Sequence, residues 1–343
     1  MSFVFYFLVM ILIFGVLIFI HELGHFVTAR LCGVSIKEFA IGMGPTLVSW
    51  NSKKYETRYA IRLLPIGGFV SMVGEDEESD SKDAFCNKSV FKRALIVIMG
   101  PLMNFVLGFL IMMVFVFSQP NLVSTTIAQF DDNAISNEKL MVGDTVVKVE
   151  GTNVHTANDL LYEVMNKGYR EVDLTVIRDN EKILLEDVEF PTFVENGTTF
   201  GNCDFKLYIE ESNFANYFKH SFYRSCSTVK MVVDSLVGLL TGRYGLNSVS
   251  GPIGVADVVG DVAKANFLNI FYIVSVLSIN LGVFNLIPFP ALDGGRLLFL
   301  VIEAIRRKPI NKNVESYINF IGIMLLFGLM IVVTFKDIIK LIL

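Results

Sequence analysis

Long apolar runs separated by polar stretches set the pattern of this chain. Residues 3–20 form an unbroken run of 18 apolar residues, long enough to cross a hydrocarbon core of about 30 Å as a helix. The pattern returns at residues 94–118, at 267–287 with an interrupted continuation through 297–305, and at 318–335, which predicts four transmembrane segments. The first run has neither the basic start nor the small-residue cleavage site of a signal peptide, so it is expected to stay in the membrane. Between the second and third runs the periodicity changes. Residues 142–150 read as a turn into a strand, 158–166 as a short helix opened by an Asn or Asp cap, and 171–178 as an alternating strand. Residues 222–240 mix apolar positions with Arg224, Lys230 and Asp234, the pattern of a helix lying in the membrane interface.

The expected fold class is therefore a polytopic α-helical membrane protein of four transmembrane segments with an inserted extracytoplasmic α+β domain. The expected divisions are residues 1–118 as a first membrane half, 119–210 as the inserted domain, 211–266 as an interfacial amphipathic linker and 267–343 as a second membrane half. Composition agrees: 53% of residues are hydrophobic and 18% charged, and the mean hydropathy is +0.55, outside the range of ordinary soluble chains.

Charge then orients the segments. No Lys or Arg precedes Arg30, ten lie between Arg30 and Arg93, and Arg306, Arg307, Lys308 and Lys312 cluster between the last two runs. The positive-inside rule places both basic regions in the cytoplasm and both termini outside. Residues 119–266, with 12 Lys or Arg in 148 positions, then fall on the extracytoplasmic side. A net charge of -5 without a basic block excludes nucleic acid as a partner. Cys32, Cys86, Cys203 and Cys226 are scattered without a C-x-x-C pair and read as isolated thiols. Six carboxylates crowd residues 75–83, which reads as a solvated cytoplasmic loop.

The chemistry sits where the first segment ends. His21 and His25 are four positions apart, so on a helix both imidazoles share one face and can bind one metal, with Glu22 beside them as a base. With four histidines in the chain, chance predicts roughly two such H-E-x-x-H matches per thousand chains of this composition. Three ionisable groups at a membrane depth are costly unless they pair or coordinate. A catalytic zinc needs a third protein ligand. His155 and His220 fall on the opposite side of the membrane and read as ordinary surface residues. Asp293 is the candidate, in Asn285-Leu286-Ile287-Pro288-Phe289-Pro290-Ala291-Leu292-Asp293-Gly294-Gly295. There Pro288 and Pro290 break the helix and the two glycines permit close backbone approach. Irregular backbone at that depth survives where it lines protein or a water-filled cavity.

These two motifs resemble the site-2 protease family of intramembrane zinc metalloproteases, most closely its bacterial branch, the regulator of sigma-E protease and its Gram-positive relatives. The resemblance covers nearly the whole chain. It implies one zinc ion per chain held by His21, His25 and Asp293, with Glu22 as the catalytic glutamate and Asn285 holding substrate near the metal. Pro65-Ile66-Gly67-Gly68-Phe69-Val70 is similar to the family's membrane-dipping β-hairpin, so Gly67, Gly68, Phe69, Pro288 and Pro290 are implied to bind substrate. Gly100-Pro101-Leu102-Met103-Asn104-Phe105 and Ser250-Gly251-Pro252-Ile253-Gly254 also resemble family stretches.

The inserted domain resembles a PDZ domain, with Val142-Gly143-Asp144 and Asp159-Leu160 in the expected places. Only one such unit is present, and no carboxylate-binding loop is recognisable near residues 124–130. The activity implied is hydrolysis of a peptide bond in or near a transmembrane segment in a bacterial inner membrane, with the site towards the cytoplasm. The partners implied are the lipid bilayer and membrane-embedded substrates: anti-sigma-factor-like single-span proteins after a first external cut, and remnant signal peptides. A non-catalytic membrane peptide-binding scaffold is the alternative, and an intact Glu22 argues against it. A metal or proton transporter is a further rival, but the repeated halves usual in transporters are absent from the sequence.

Overall fold

The computed structural model describes residues 3–53, 56–75, 77, 79–195, 197–245, 249 and 251–342. Asp76 and Glu78 of the acidic run, and Ser250, lie outside the described residues. A helix satisfies its own backbone polar groups, which is what a segment crossing lipid must do. Among the described residues four helices are long and apolar enough to cross a membrane: Phe5–Leu31, Val90–Phe117, Asn269–Leu286 and Lys312–Ile339.

In chain order the elements are α1 (Phe3–Leu31), β1 (Ile36–Asn51), β2 (Arg58–Met72), α2 (Val90–Phe117), β3 (Leu122–Phe130), β4 (Thr145–Val149), β5 (Thr152–Asn153), α3 (Ala157–Lys167), β6 (Val172–Arg178) and β7 (Glu181–Val188), followed by β8 (Thr192–Glu195), β9 (Thr198–Gly201), β10 (Phe205–Glu210), α4 (Phe214–Leu240), α5 (Pro252–Ala265), α6 (Asn269–Leu286), α7 (Asp293–Arg306) and α8 (Lys312–Ile342). They divide into two compact units, Met1–Leu110 with Val249–Leu343, and Ile111–Ser248.

The first unit carries the sequence motifs. At 1.5 Å per residue, the 29 residues of α1 reach about 43 Å, so the helix continues past the apolar run and carries His21 and His25 on its last turns. β1 and β2 are long strands bent back on themselves. Residues 36–41 pair in descending register with 68–72, residues 38–41 also lie in ascending register beside 58–61, and 58–62 face 46–51. Residues 65–70 form part of the returning arm of β2. A core of Ala29, Val34, Ile36, Met72, Phe85, Ile96, Val97 and Leu300 joins the end of α1 to β1, β2, α2 and α7. An Arg93–Glu303 ion pair at 2.5 Å adds a polar tie between α2 and α7. Helix α6 packs closely on α2, where Ser275 Oγ donates to Gly108 O at 2.7 Å and Ser278 Oγ to Asn104 O at 2.8 Å.

Several expectations are corrected here. The stretch expected as a linker up to residue 266 includes a separate helix, α5, placed against α1 with Gly260 at the Tyr6 ring. Its N-terminus is capped from α8: Asp337 Oδ2 accepts from Gly251 N at 2.9 Å and Gly254 N at 3.0 Å. The acidic run is not uniformly solvated, because Glu75 is largely buried, ion-paired with Arg296 and hydrogen-bonded to Met72 N.

In the second unit a six-stranded sheet runs β10-β3-β4-β6-β7 with β5 on β4. Alternating residues of its strands and Leu160 and Val164 of α3 build one core with Ile127, Val146, Val149, Leu174, Val176 and Phe205. The expected Asn or Asp cap of α3 is Thr156. Its side chain accepts from Asp159 N while Asp159 accepts from Thr156 N, a reciprocal capping box. The helix expected at 222–240 begins eight residues earlier, at Phe214. It is bound to α3 by Lys230–Glu163 at 2.7 Å and by Tyr162 OH donating to Asp234 at 3.1 Å. His220, expected at the surface, is buried, with Nε2 2.7 Å from Glu210 Oε2. His155 is exposed and stacks on Tyr223.

Candidate metal centre

The four-residue spacing on α1 turns His21 and His25 to one side, with ring centroids 4.8 Å apart and the planes nearly perpendicular. Their Nε2 atoms lie 3.1 Å apart. The non-helical turn between α6 and α7 delivers the third group. Residues 287–292 leave the helix, Ala291 adopts a left-handed φ of 75°, and Asp293 opens α7. A Cβ on Gly294 would lie 2.1 Å from Ile287 O, and one on Gly295 2.4 Å from Phe289 O. The fold-back that brings Asp293 to the histidines thus depends on both glycines. Asp293 Oδ2 lies 3.0 Å from His21 Nε2 and 3.3 Å from His25 Nε2.

Three ligand atoms thus converge on one point, and among the described residues this is the only His, Cys, Asp or Glu cluster of metal-binding geometry. The set fits a zinc ion. Asp293 Oδ2 is buried and, despite those short contacts, takes no well-aligned hydrogen bond, as expected of atoms aimed at a shared cation rather than at one another. Two imidazole nitrogens and a carboxylate are a donor set that zinc accepts, with a fourth position left open.

Helix α2 forms the wall behind the rings. His25 Nδ1 is 2.9 Å from Ile96 O. A carbonyl only accepts, so Nδ1 carries the hydrogen and Nε2 presents its lone pair. The approach of α2 is possible because of two glycines: a Cβ on Gly24 would lie 2.4 Å from Met99 O, and one on Gly100 2.3 Å from His25 Nε2. Asn104 of the same helix is fully buried, with Nδ2 3.3 Å from His21 Nδ1.

A cavity of about 410 Å³ opens onto the cluster, lined by His21, Glu22, His25, Gly67, Gly68, Phe69, Val70, Asn285, Leu292 and Asp293 among others. It brings together nearly all the residues singled out from the sequence. Pro288 and Pro290 are the exceptions: they belong to the break between α6 and α7 and do not line the cavity, and Pro290 instead packs against Gly322 of α8. Ile96, Gly100, Asn104, Glu75 and Arg296 carry no role that the sequence alone would assign. The Gly100-Pro101 pair inside an apolar run was the one available signal that α2 makes a special approach.

A metal-binding cluster with a carboxylate and an open cavity beside it, carried on apolar helices, is the equipment of a membrane-embedded metallohydrolase. The chain belongs to peptidase family M50, the site-2 proteases: the family model matches residues 9–329. It is 36% identical to a Clostridium acetobutylicum protein named as a candidate zinc metalloprotease, across 96% of both chains. It is 32% identical to the regulator of sigma-W protease RasP of Bacillus subtilis, and 32% identical to the zinc metalloprotease RasP of Bacillus licheniformis, in each case across 96% of this chain and 97% of the relative. The protein is a membrane zinc metalloprotease, with zinc as its cofactor.

Proposed function

We propose that this chain hydrolyses a peptide bond in or next to the transmembrane helix of single-span membrane proteins, with His21, His25 and Asp293 holding the zinc and Glu22 acting as acid and base. The observation that carries the reading is the convergence of His21 Nε2, His25 Nε2 and Asp293 Oδ2 within 3.0–3.3 Å, in a cavity that also presents Glu22 and Asn285. Bound zinc supplies a Lewis acid for the scissile carbonyl and acidifies water towards a pKa of about 7. Glu22 accepts the proton of the attacking water and returns it to the leaving amine, so the carboxylate ends the cycle as it began. Asn285, on the last turn of α6, donates to and accepts from the substrate backbone and holds it beside Glu22.

A transmembrane helix hides its carbonyls in its own hydrogen bonds, so the substrate unwinds locally before it is cut. Residues 67–70 of β2 line the cavity, and β2 pairs with β1 alone among the described residues. An unwound segment adds to that strand by β-addition. The apolar side chains Leu47, Val48, Trp50 and Leu63 are exposed on the same pair of strands and dip it into the bilayer. The four apolar helices span the membrane with both termini extracytoplasmic and the metal centre towards the cytoplasm, a reading supported by the Lys and Arg distribution. Residues 119–210 form a PDZ-like domain outside the membrane that admits substrates already trimmed there, and α4 carries its exposed Phe214, Phe218 and Phe222 at the interface.

Anti-sigma-factor-like proteins and remnant signal peptides are the substrate classes proposed. The name of the Bacillus subtilis relative, a regulator of sigma-W protease, is in keeping with the first. The test is to incubate the purified protein with two forms of one single-span anti-sigma segment, trimmed and untrimmed on its outer side, and map the product ends by mass spectrometry. A cut within or beside the span, faster in the trimmed form, supports the reading. Cuts confined to the soluble parts contradict it.

A further inference from the structure

Two imidazoles that share one metal through Nε2 must each carry the ring hydrogen on Nδ1, and a buried Nδ1–H needs an acceptor. For His25 that acceptor is Ile96 O, at 2.9 Å. For His21 the group facing Nδ1 is the side-chain amide of Asn104, Nδ2 at 3.3 Å. Asn104 is fully buried on α2, its backbone carbonyl is held by Ser278 Oγ at 2.8 Å, and its Oδ1 is buried with no hydrogen-bond partner.

With Nδ2 donating to Nδ1, His21 carries its hydrogen on Nε2 and can share it with His25 Nε2, 3.1 Å away. That tautomer has no lone pair on Nε2 and cannot ligate. A half-turn of the amide exchanges Nδ2 and Oδ1 and brings the orphaned oxygen to Nδ1. We propose that Asn104 is a positioning residue for the metal centre: its amide oxygen accepts from His21 Nδ1–H and fixes His21 in the tautomer that binds zinc. The proposal rests on the reading of His21, His25 and Asp293 as the zinc set.

The experiment is a competitive zinc titration against a chromophoric chelator, in detergent, on the parent, Asn104→Asp and Asn104→Leu, together with the thermal midpoint of each metal-free form. Leucine matches the amide in size without an acceptor, whereas aspartate keeps the oxygen and has no N–H. Loss of an outer partner of this kind weakens metal binding about 10–100-fold, so N104L is expected to fall by that factor and N104D to remain within about threefold of the parent. A purely packing role predicts instead that the thermal midpoint changes in N104L while its zinc affinity stays near the parent's. N104L binding zinc as tightly as the parent, or N104D binding as weakly as N104L, overturns the proposal. Should N104L fail to fold, Asn104→Ala, which also lacks the acceptor, takes its place, and zinc binding by it as tight as the parent's overturns the proposal. A parent that binds no zinc would sink the zinc set itself and this proposal with it, while a tight parent with an unaffected N104L sinks only the role of Asn104.

Discussion

Substituting Gly100 by alanine probes the approach of α2 to the metal ligands. A Cβ at this position would lie 2.3 Å from His25 Nε2, 2.4 Å from its Cε1 and 3.0 Å from His21 Cε1. Ordinary contact begins near 3.4 Å, so the His25 ring must retreat by about 1.1 Å, the difference between 3.4 and 2.3, or α2 must move away by as much. Zinc–nitrogen distances hold to about 0.2 Å around 2.0–2.1 Å, so a displacement of that size takes a ligand out of range. The backbone cannot absorb it cheaply, because Gly24 brings α1 equally close to Met99 O and the Nδ1 bond to Ile96 O ties the ring to α2. Overpacking of this kind costs about 1–3 kcal/mol in stability, while misplacement by 1 Å at a reacting centre costs about 10²-fold in rate. G100A is therefore expected to remain folded in detergent, to bind zinc far more weakly and to lose at least two orders of magnitude in cleavage. The assay is metal content by mass spectrometry beside cleavage of a single-span substrate. Full zinc occupancy with an unchanged cleavage rate would refute the argument.

Two further outcomes follow from contacts away from the metal. Asp337→Ala removes the acceptor for Gly251 N and Gly254 N at the start of α5, a cap worth about 0.5–2 kcal/mol, so the thermal midpoint in detergent should fall, and by less in Asp337→Asn; equal midpoints in all three would show that the cap carries no stability. For Glu210, burial would raise the carboxyl pKa, but hydrogen bonds from His220 and Lys219 outweigh it and leave the group below its ordinary value. The stability this gives is present above the unfolded value of about 4.3 and is lost as pH falls through the lowered folded value. Glu210→Gln should accordingly be less stable than the parent at pH 7, with the difference vanishing in acid; a gap that is constant from pH 7 to pH 3 would contradict the linkage.

Much of this was legible in the sequence, for physical reasons that differ by element. The apolar runs stand out because lipid demands them, and the ends of α1 and α8 lie beyond the runs because a helix continues while its hydrogen bonds do. His21, His25 and Asp293 could be picked out because ionisable residues at the end of an apolar segment or in a broken one are costly without a purpose. The roles of the groups behind them could not, although the stretch 100–105 stood out by its resemblance to the family. Ile96 contributes a carbonyl, which every residue owns, and Gly100 and Asn104 lie in an apolar helix buried against α1 and α6, where no amphipathic face marks one side as special. Helix α5 was missed because its small and β-branched residues follow a proline and resemble a linker, and its cap comes from Asp337, more than eighty positions away. The same holds for Glu75 and His220, whose partners Arg296 and Glu210 are brought to them by the fold, so an acidic run and a lone histidine read as solvated. Thr156 rather than an Asn or Asp caps α3 because Asp159 can close the reciprocal box only from three positions on.

The central claim is that His21, His25 and Asp293 hold the metal and that Glu22 performs the proton transfer. Zinc content and cleavage measured together on the parent, Glu22→Gln and Asp293→Ala test it most directly. About one zinc per chain is expected in the parent and in E22Q, as three protein ligands require, with cleavage by the parent alone and little zinc in D293A. Full zinc in D293A, or cleavage by E22Q at the parent's rate, would contradict it.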